Sequence, residues 1–119
     1  VKGIENPRIA FLGLAYKGNV DDVRDSPSFD ILKLLKARWP KADIVLNDPF
    51  VPEARYHTVP LDQAVDRADC ILLITDHRQY KSMDPRQLKA RVARRIVIDT
   101  RGILDVRAWI NAGFWVMRI

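Results

Sequence analysis

The chain has 119 residues, 48% of them apolar and 29% charged, and its 20 Lys and Arg outnumber 15 Asp and Glu to give a formal charge of +5. That length supports one domain around a single core, and no apolar run is long enough to span a bilayer. A lone cysteine excludes an internal disulfide or a cysteine-built zinc site, while the positive charge favours anionic partners without marking where they bind.

Residues 1–7 read as a linker remnant, neither signal peptide nor transit sequence, ahead of a domain over 8–119. Ile9, Ala10, Phe11 and Leu12 form an apolar run ending at Gly13, the pattern of a strand covered on both faces in a parallel sheet. In the loop that follows, Gly13 and Gly18 allow backbone angles and close approaches that a Cβ forbids. Ser26 is a good N-cap and Pro27 suits the first helical position. A helix therefore begins near residue 27, with Phe29, Ile31, Leu32, Leu34 and Leu35 as its apolar stripe and Lys33, Lys36 and Arg38 toward water. Asp43 to Asn47 reads as the second strand, closed by Asp48-Pro49. Leu61 to Arg67 has helical character, Cys70 to Thr75 is the third strand, and Asp84-Pro85 starts a helix running to about Ala93. Ile96 to Asp99 is the fourth strand, Asp105 to Ala112 a helix ending at Gly113, and Phe114 to Met117 the fifth strand. Strand and helix alternate with short loops, and right-handed crossovers then favour a parallel sheet with helices on both faces, an α/β fold in three layers.

The most informative stretch is residues 9–30, where an apolar strand runs into a glycine turn carrying Lys17, then an acidic loop carrying Arg24, then the Ser-Pro helix start. Lys17 and Arg24 stand near the carboxyl end of the first strand, where open α/β sheets bind ligands, and a phosphate suits them. The same residues admit a plainer reading: an ordinary exposed lysine, and Asp21, Asp22 and Asp25 pairing with Arg24 to stiffen the loop. Gly13 and Gly18 do not form the Gly-x-Gly-x-x-Gly dinucleotide fingerprint. Cys70 heads an apolar strand and reads as a buried, unreactive thiol suited to a reducing cytoplasm. The clusters Lys89, Arg91, Arg94, Arg95 and Lys33, Lys36, Arg38, Lys41 fall on helix faces or ends as solvated surface, with no nucleic-acid-binding pattern beside them. His77 is a conceivable general base, but no partner carboxylate is fixed by sequence, and a structural or subfamily-specific use is favoured. His57 lies in an exposed-looking loop. Trp39, Trp109 and Trp115 read as helix-to-sheet packing.

The stretch Gly-Leu-Ala-Tyr-Lys-Gly-Asn-Val-Asp-Asp-Val-Arg-Asp-Ser-Pro (13–27), followed in order by Asn47-Asp48-Pro49, Leu72 to His77 and Val97-Ile98-Asp99-Thr100-Arg101, resembles the C-terminal, UDP-binding domain of the UDP-glucose/GDP-mannose dehydrogenase family. The resemblance covers residues 8 to about 117. It implies a Rossmann-like five-stranded sheet in the order 3-2-1-4-5, in which strands 1 and 4 are neighbours and their loops meet. It further implies that Tyr16, Lys17 and Arg101 contact a nucleotide sugar. Gly13, Gly18, Asp22, Arg24 and Ser26 are then loop-shaping residues, with Asp22 and Arg24 either touching ligand or forming a buried ion pair. For Arg101 the plainer alternative is a pairing with Asp99 or Asp105.

The family's reaction is an NAD-dependent, two-step oxidation of a sugar C6 alcohol to a carboxylate, in the service of polysaccharide biosynthesis. The resemblance places NAD and the catalytic cysteine in an N-terminal domain that this sequence lacks, so no catalytic residue, metal or cofactor is expected here. The partners implied are a UDP-sugar, that N-terminal domain and, for the parent enzyme, further copies of itself; neither nucleic acid nor membrane is expected. Lys-Gly-Asn-Val-Asp-Asp and Thr-Asp-His are more like members acting on UDP-N-acetylmannosamine or UDP-N-acetylglucosamine than on UDP-glucose. Two other readings stand beside this one, a free-standing regulatory nucleotide-binding module and a basic nucleic-acid-binding α/β domain.

Overall fold

The computed structural model describes residues 6–118; most of the linker expected over 1–7 lies outside them. Eleven elements follow one another: β1 (Arg8–Leu12), α1 (Pro27–Arg38), β2 (Asp43–Asn47), α2 (Glu53–Tyr56), α3 (Leu61–Val65), β3 (Cys70–Leu73), α4 (Arg78–Lys81), α5 (Pro85–Leu88), β4 (Ile96–Asp99), α6 (Val106–Asn111) and β5 (Trp115–Arg118). All strand pairs are parallel. Residues alternate across the sheet as a two-residue period requires. Ile9, Phe11, Leu72 and Ile74 pack with α1 and α2 on one face, and Ala10, Leu12, Ile71, Leu73 and Val97 pack with α3, α4 and α6 on the other. The expected three-layer α/β/α sheet is present.

Its order is β2-β1-β3-β4-β5, not 3-2-1-4-5. The reason lies in which face α3 covers. Ala64 and Val65 pack on the face opposite α1, and a right-handed crossover with its helix on the opposite face must step in the opposite direction. The chain therefore turns back after β2, passes behind β1 and lays β3 on the far side of it. β3 separates β1 from β4, so the strands expected to be neighbours are not.

Several local expectations are also corrected. Leu34 is 70% exposed: the buried side of α1 follows Ser28, Ile31, Leu32 and Leu35, the i, i+3, i+4, i+7 spacing of one helix face, and Leu34 falls outside it. Helix α5 ends at Leu88, short of Ala93, because the amides of Ala93 and Arg94 bond to the Ala68 carbonyl and draw the chain toward β4. Helix α3 stops at Val65, with Arg67 in the left-handed region at φ 59°. Short helices α2 and α4 occupy segments that carry no helical expectation. Trp109 is a core residue, but Trp115 is 56% exposed, since with Met117 it shares the α1 face of the sheet beyond that helix's reach. On the same face a groove of about 340 Å³ between α1 and the sheet, lined by Ile31, Leu35, Trp39, Cys70, Leu72 and Ile98, stays open.

In urea unfolding, Leu32→Ala is expected to cost about 2–4 kcal/mol as a core truncation, and Leu34→Ala to stay within about 0.5 kcal/mol of wild type. Equal losses would show that the stripe runs through both.

Candidate functional site

The order 2-1-3-4-5 puts the reversal of chain direction between β1 and β3, and open parallel sheets hold ligands in the crevice outside the carboxyl ends of strands at such a point. Loops 13–26 after β1, 74–77 after β3 and 100–105 after β4 meet along that edge. Gly13 (φ +109°) turns the chain out of β1, and a Cβ there would overlap Thr75, lying 2.6 Å from its backbone nitrogen. Thr75 Oγ1 in turn donates to the Ala15 carbonyl at 3.0 Å. At the far end of the loop, Ser26 accepts from the Ser28 amide at 3.3 Å and caps α1, while Ser28 Oγ donates to the Leu14 carbonyl at 2.8 Å.

Tyr16 and Lys17 are exposed at the tip of this loop, where the Tyr16 amide donates to the Asp22 carbonyl at 2.6 Å. Gly18 lies against Asp76: a Cβ would overlap the Asp76 carbonyl oxygen and come within 2.7 Å of Oδ1. Asp76 Oδ1 accepts from Arg101 Nη2 at 3.1 Å. The loops carrying Lys17 and Arg101 are thus joined through a residue of the loop that follows β3, the strand that separates β1 from β4. Burial works to raise the Asp76 carboxyl, but the Arg101 bond and charge, with nearby backbone amides, hold it below its ordinary value. The Arg101 side chain bonds neither Asp99 nor Asp105, the partners of its plainer alternative. Asp99, fully buried, is instead spent on backbone amides, with Oδ1 on Arg101 and Gly102 and Oδ2 on Leu104.

Asp22 and Arg24 do pair, through Nε and Nη2 at 3.0 Å each, but at the surface, with 86% of the Arg24 side chain exposed. The buried pair anticipated as one alternative is therefore absent. The Arg24 hydrogen bonds, aided by the Lys17 charge, hold the Asp22 carboxyl down to about 2.

Two residues at the centre of the site are not among the site residues expected from sequence: Asp48, placed only as the close of the second strand, and His77, for which a structural or subfamily-specific use is favoured. Asp48, at the end of β2, is buried and its Oδ2 collects the amides of Leu14 (2.8 Å) and Ala15 (3.0 Å) and His77 Nε2 (2.9 Å), while Oδ1 takes the Phe50 amide (2.9 Å). His77, wholly buried, accepts the Asn19 amide at Nδ1 (2.9 Å), so Nε2 carries the hydrogen given to Asp48. Neither partnership is local, spanning 29 and 58 residues; the available hints were Asp-Pro after a strand and the turn-prone Gly18-Asn19 pair. Cys70 is buried and its thiol is pushed up to about 11, chiefly by that burial, as an inert thiol should be. His57 is exposed and ends α2 in the left-handed region.

A dinucleotide would need free amides at the first β-α turn. Here Leu14 and Ala15 give theirs to Asp48, and the first turn of α1 is capped by Ser26. With these amides committed, the first β-α turn does not offer the pyrophosphate of NAD the donors it would need. Among the described residues no group of three or more His, Cys, Asp or Glu could hold a metal ion, and no helix is long and apolar enough to cross a membrane.

The class defined by fold and site is a parallel α/β domain with its crevice at the β1/β3 reversal and basic side chains on that edge. Residues 10–106 match the UDP binding domain of the UDP-glucose/GDP-mannose dehydrogenase family, and the chain belongs to that family. It is similar to the UDP-N-acetyl-D-mannosamine dehydrogenase of Methanococcus maripaludis (strain S2), 37% identical over 117 residues that make up 96% of this chain and 27% of that one. The NDP-N-acetyl-D-galactosaminuronic acid dehydrogenase of Ralstonia nicotianae is 34% identical over 108 residues, 87% of this chain and 24% of the relative. Among solved structures, the UDP-D-ManNAc dehydrogenase of Pyrococcus horikoshii superposes with a TM-score of 0.83 at 32% identity, over 97% of this chain and 26% of that one. The NDP-N-acetyl-D-galactosaminuronic acid dehydrogenase of Methanosarcina mazei gives 0.84 at 30%, over 97% and 25%. The chain spans about a quarter of the length of the curated relatives it matches.

The buried carboxylate makes a pH prediction. Burial alone would raise the Asp48 carboxyl, but the His77 bond and the Leu14, Ala15 and Phe50 amides hold it below its ordinary value. A carboxyl depressed in the folded state contributes stability that is complete above its unfolded pKa of about 3.9 and is lost as pH falls through the lower folded value. Urea midpoints of wild type and Asp48→Asn should differ by a constant margin from about pH 5 to 7 and converge below about pH 4. Curves that stay parallel to about pH 2 would remove the carboxylate as the source.

Proposed function

We propose that this chain holds the UDP end of a nucleotide sugar for a longer NAD-dependent dehydrogenase, which oxidises the C6 alcohol of a UDP-hexose, UDP-N-acetylmannosamine, to the uronic acid. The observation that carries the reading is the link Gly18–Asp76–Arg101, which joins the loop of Lys17 to the loop of Arg101 at the ligand-binding edge. Lys17 supplies a compact charge and Arg101 a planar fork of donors, the two ways side chains meet phosphate oxygens. Tyr16, exposed beside Lys17, contacts the nucleotide sugar. Gly13, Gly18 and Ser26 shape the loop, and the Asp22–Arg24 pair braces its surface side.

The chemistry belongs to the remainder of the longer polypeptide. This domain contributes remote binding energy that orients the reacting carbon and does not turn over substrate by itself. The NAD site and the reactive cysteine lie N-terminal to it, in keeping with the greater length of the relatives and the misfit of these residues to a dinucleotide. The open apolar groove between α1 and the sheet, with Trp115 and Met117 exposed on the same face, supports burial against that remainder. A reducing, cytoplasmic setting suits the free thiol of Cys70.

Calorimetric titration with UDP, UDP-N-acetylmannosamine, UDP-glucose and GDP-mannose tests the reading. Weak, uridine-selective binding is expected, falling about tenfold or more in Lys17→Ala and in Arg101→Ala, the scale of a lost charge-assisted hydrogen bond. Binding unchanged in both variants overturns the site.

A further inference from the structure

We propose that His77 is a positioning residue that holds residues 17–19 in the conformation presenting Lys17, without itself touching ligand; this rests on the UDP-site reading above. Its ring is fully buried, with the Phe50 and Tyr80 ring centroids 4.7 and 5.5 Å away. Both nitrogens are committed, Nε2 as donor to Asp48 Oδ2 and Nδ1 as acceptor of the Asn19 amide, each at 2.9 Å. No basic nitrogen remains for proton abstraction, which closes the general-base reading.

What the ring does instead follows from its neighbours. Three consecutive residues after β3 grip two consecutive residues of the β1–α1 loop. Asp76 backs Gly18, His77 receives the Asn19 amide, and the Arg78 amide donates to Asn19 Oδ1 at 3.0 Å. Asn19 sits at φ 62°, a left-handed conformation that asparagine accepts more readily than most residues and that needs local hydrogen bonds to hold it. At the other end of the segment, the carboxylate bound by His77 also fixes the amides of Leu14 and Ala15. One Asp48–His77 pair therefore fastens the segment at 14–15 and at 19, and Lys17 rides between the two fastenings. A short segment tied at both ends loses little conformational entropy when an anion binds its middle.

Two substitutions divide the ring's two bonds. His77→Gln places an amide nitrogen where Nε2 donates to Asp48 and leaves the Asn19 amide without an acceptor. His77→Asn offers an oxygen near the Nδ1 position and gives up the reach to Asp48. Amide hydrogen exchange at Asn19, urea midpoints and calorimetry with UDP are measured on both, with Lys17→Ala alongside. In His77→Gln the Asn19 amide should exchange at least about tenfold faster and UDP binding should weaken by up to about tenfold, the scale of one lost hydrogen bond. In His77→Asn the amide should stay protected and the affinity should remain within about threefold of wild type, although stability falls further.

Affinity that follows the Asn19 bond and not the urea midpoint supports positioning. Wild-type UDP affinity in His77→Gln with a freely exchanging Asn19 amide overturns it, as does affinity that simply tracks stability in both variants. Should His77→Gln not fold, Asn19→Pro carries the test, since it removes the backbone N–H that His77 accepts and cannot hold the φ of 62° while sparing Asp48 and His77; unchanged UDP affinity there is equally fatal. If Lys17→Ala too leaves UDP binding unaltered, the UDP site itself is refuted, a result separable from failure of the His77 role alone.

Discussion

The buried carboxylate of Asp48 is the interaction on which the carboxyl edge of this sheet depends. A charge removed from water costs several kcal/mol unless its lone pairs are met by donors, and Asp48 is met four times, by three backbone amides and an imidazole N–H. Those donors come from the loops after β1, β2 and β3. Closing the carboxylate's shell therefore fixes three loops at once, and a sheet edge that would otherwise carry independent mobile connections becomes one rigid surface. Tyr80 adds a second layer, its hydroxyl reaching the Asn47 side chain at 2.8 Å while Asn47 Nδ2 holds the Val59 carbonyl at 2.8 Å.

Topology decides what that surface can be used for. Because α3 lies on the face opposite α1, β3 is placed beside β1, and the loops diverging from these two strands open a crevice that a continued 3-2-1 progression would have put elsewhere. The same arrangement inserts Asp76 between the loops of Lys17 and Arg101. Asp99 performs for the β4 loop the task Asp48 performs for the β1 loop, drawing the amides of Arg101, Gly102 and Leu104 around one carboxylate.

Much of this is legible in the sequence alone, where the deciding physics is local. The bounds of β2 and β4 and the start of α1 follow from apolar runs, from Ser26 as a cap and from Pro27 at the first helical turn, interactions among residues a few positions apart. The strand order is not, because the face chosen by Ala64 and Val65 is settled by packing against strands remote in sequence. Four-residue helices such as α2 and α4 are too short to imprint a period. The Asp48–His77–Asn19 chain joins residues that only the folded sheet brings together, and Asp76 as the partner of Arg101 depends on the very order that resemblance misassigned.

The Asp76–Arg101 pair gives the two cations of the edge different duties. Arg101 already spends one guanidinium nitrogen on a carboxylate, so its plane is oriented before any anion arrives and part of its charge is locally offset. Lys17 is held by no comparable bond among the described residues; its charge is set against only the more distant Asp22. An anion at this edge would therefore gain most of its electrostatic attraction from the lysine and most of its orientation from the arginine. Counting Lys17, Arg101 and Asp76 alone leaves one net positive charge, too little to hold a diphosphate tightly in water-exposed surroundings where screening is strong. A site so charged works best when a further surface closes over it, expelling water and strengthening each of these contacts. That requirement ties the modest charge of the edge to the proposal that this domain binds its ligand as part of a longer polypeptide.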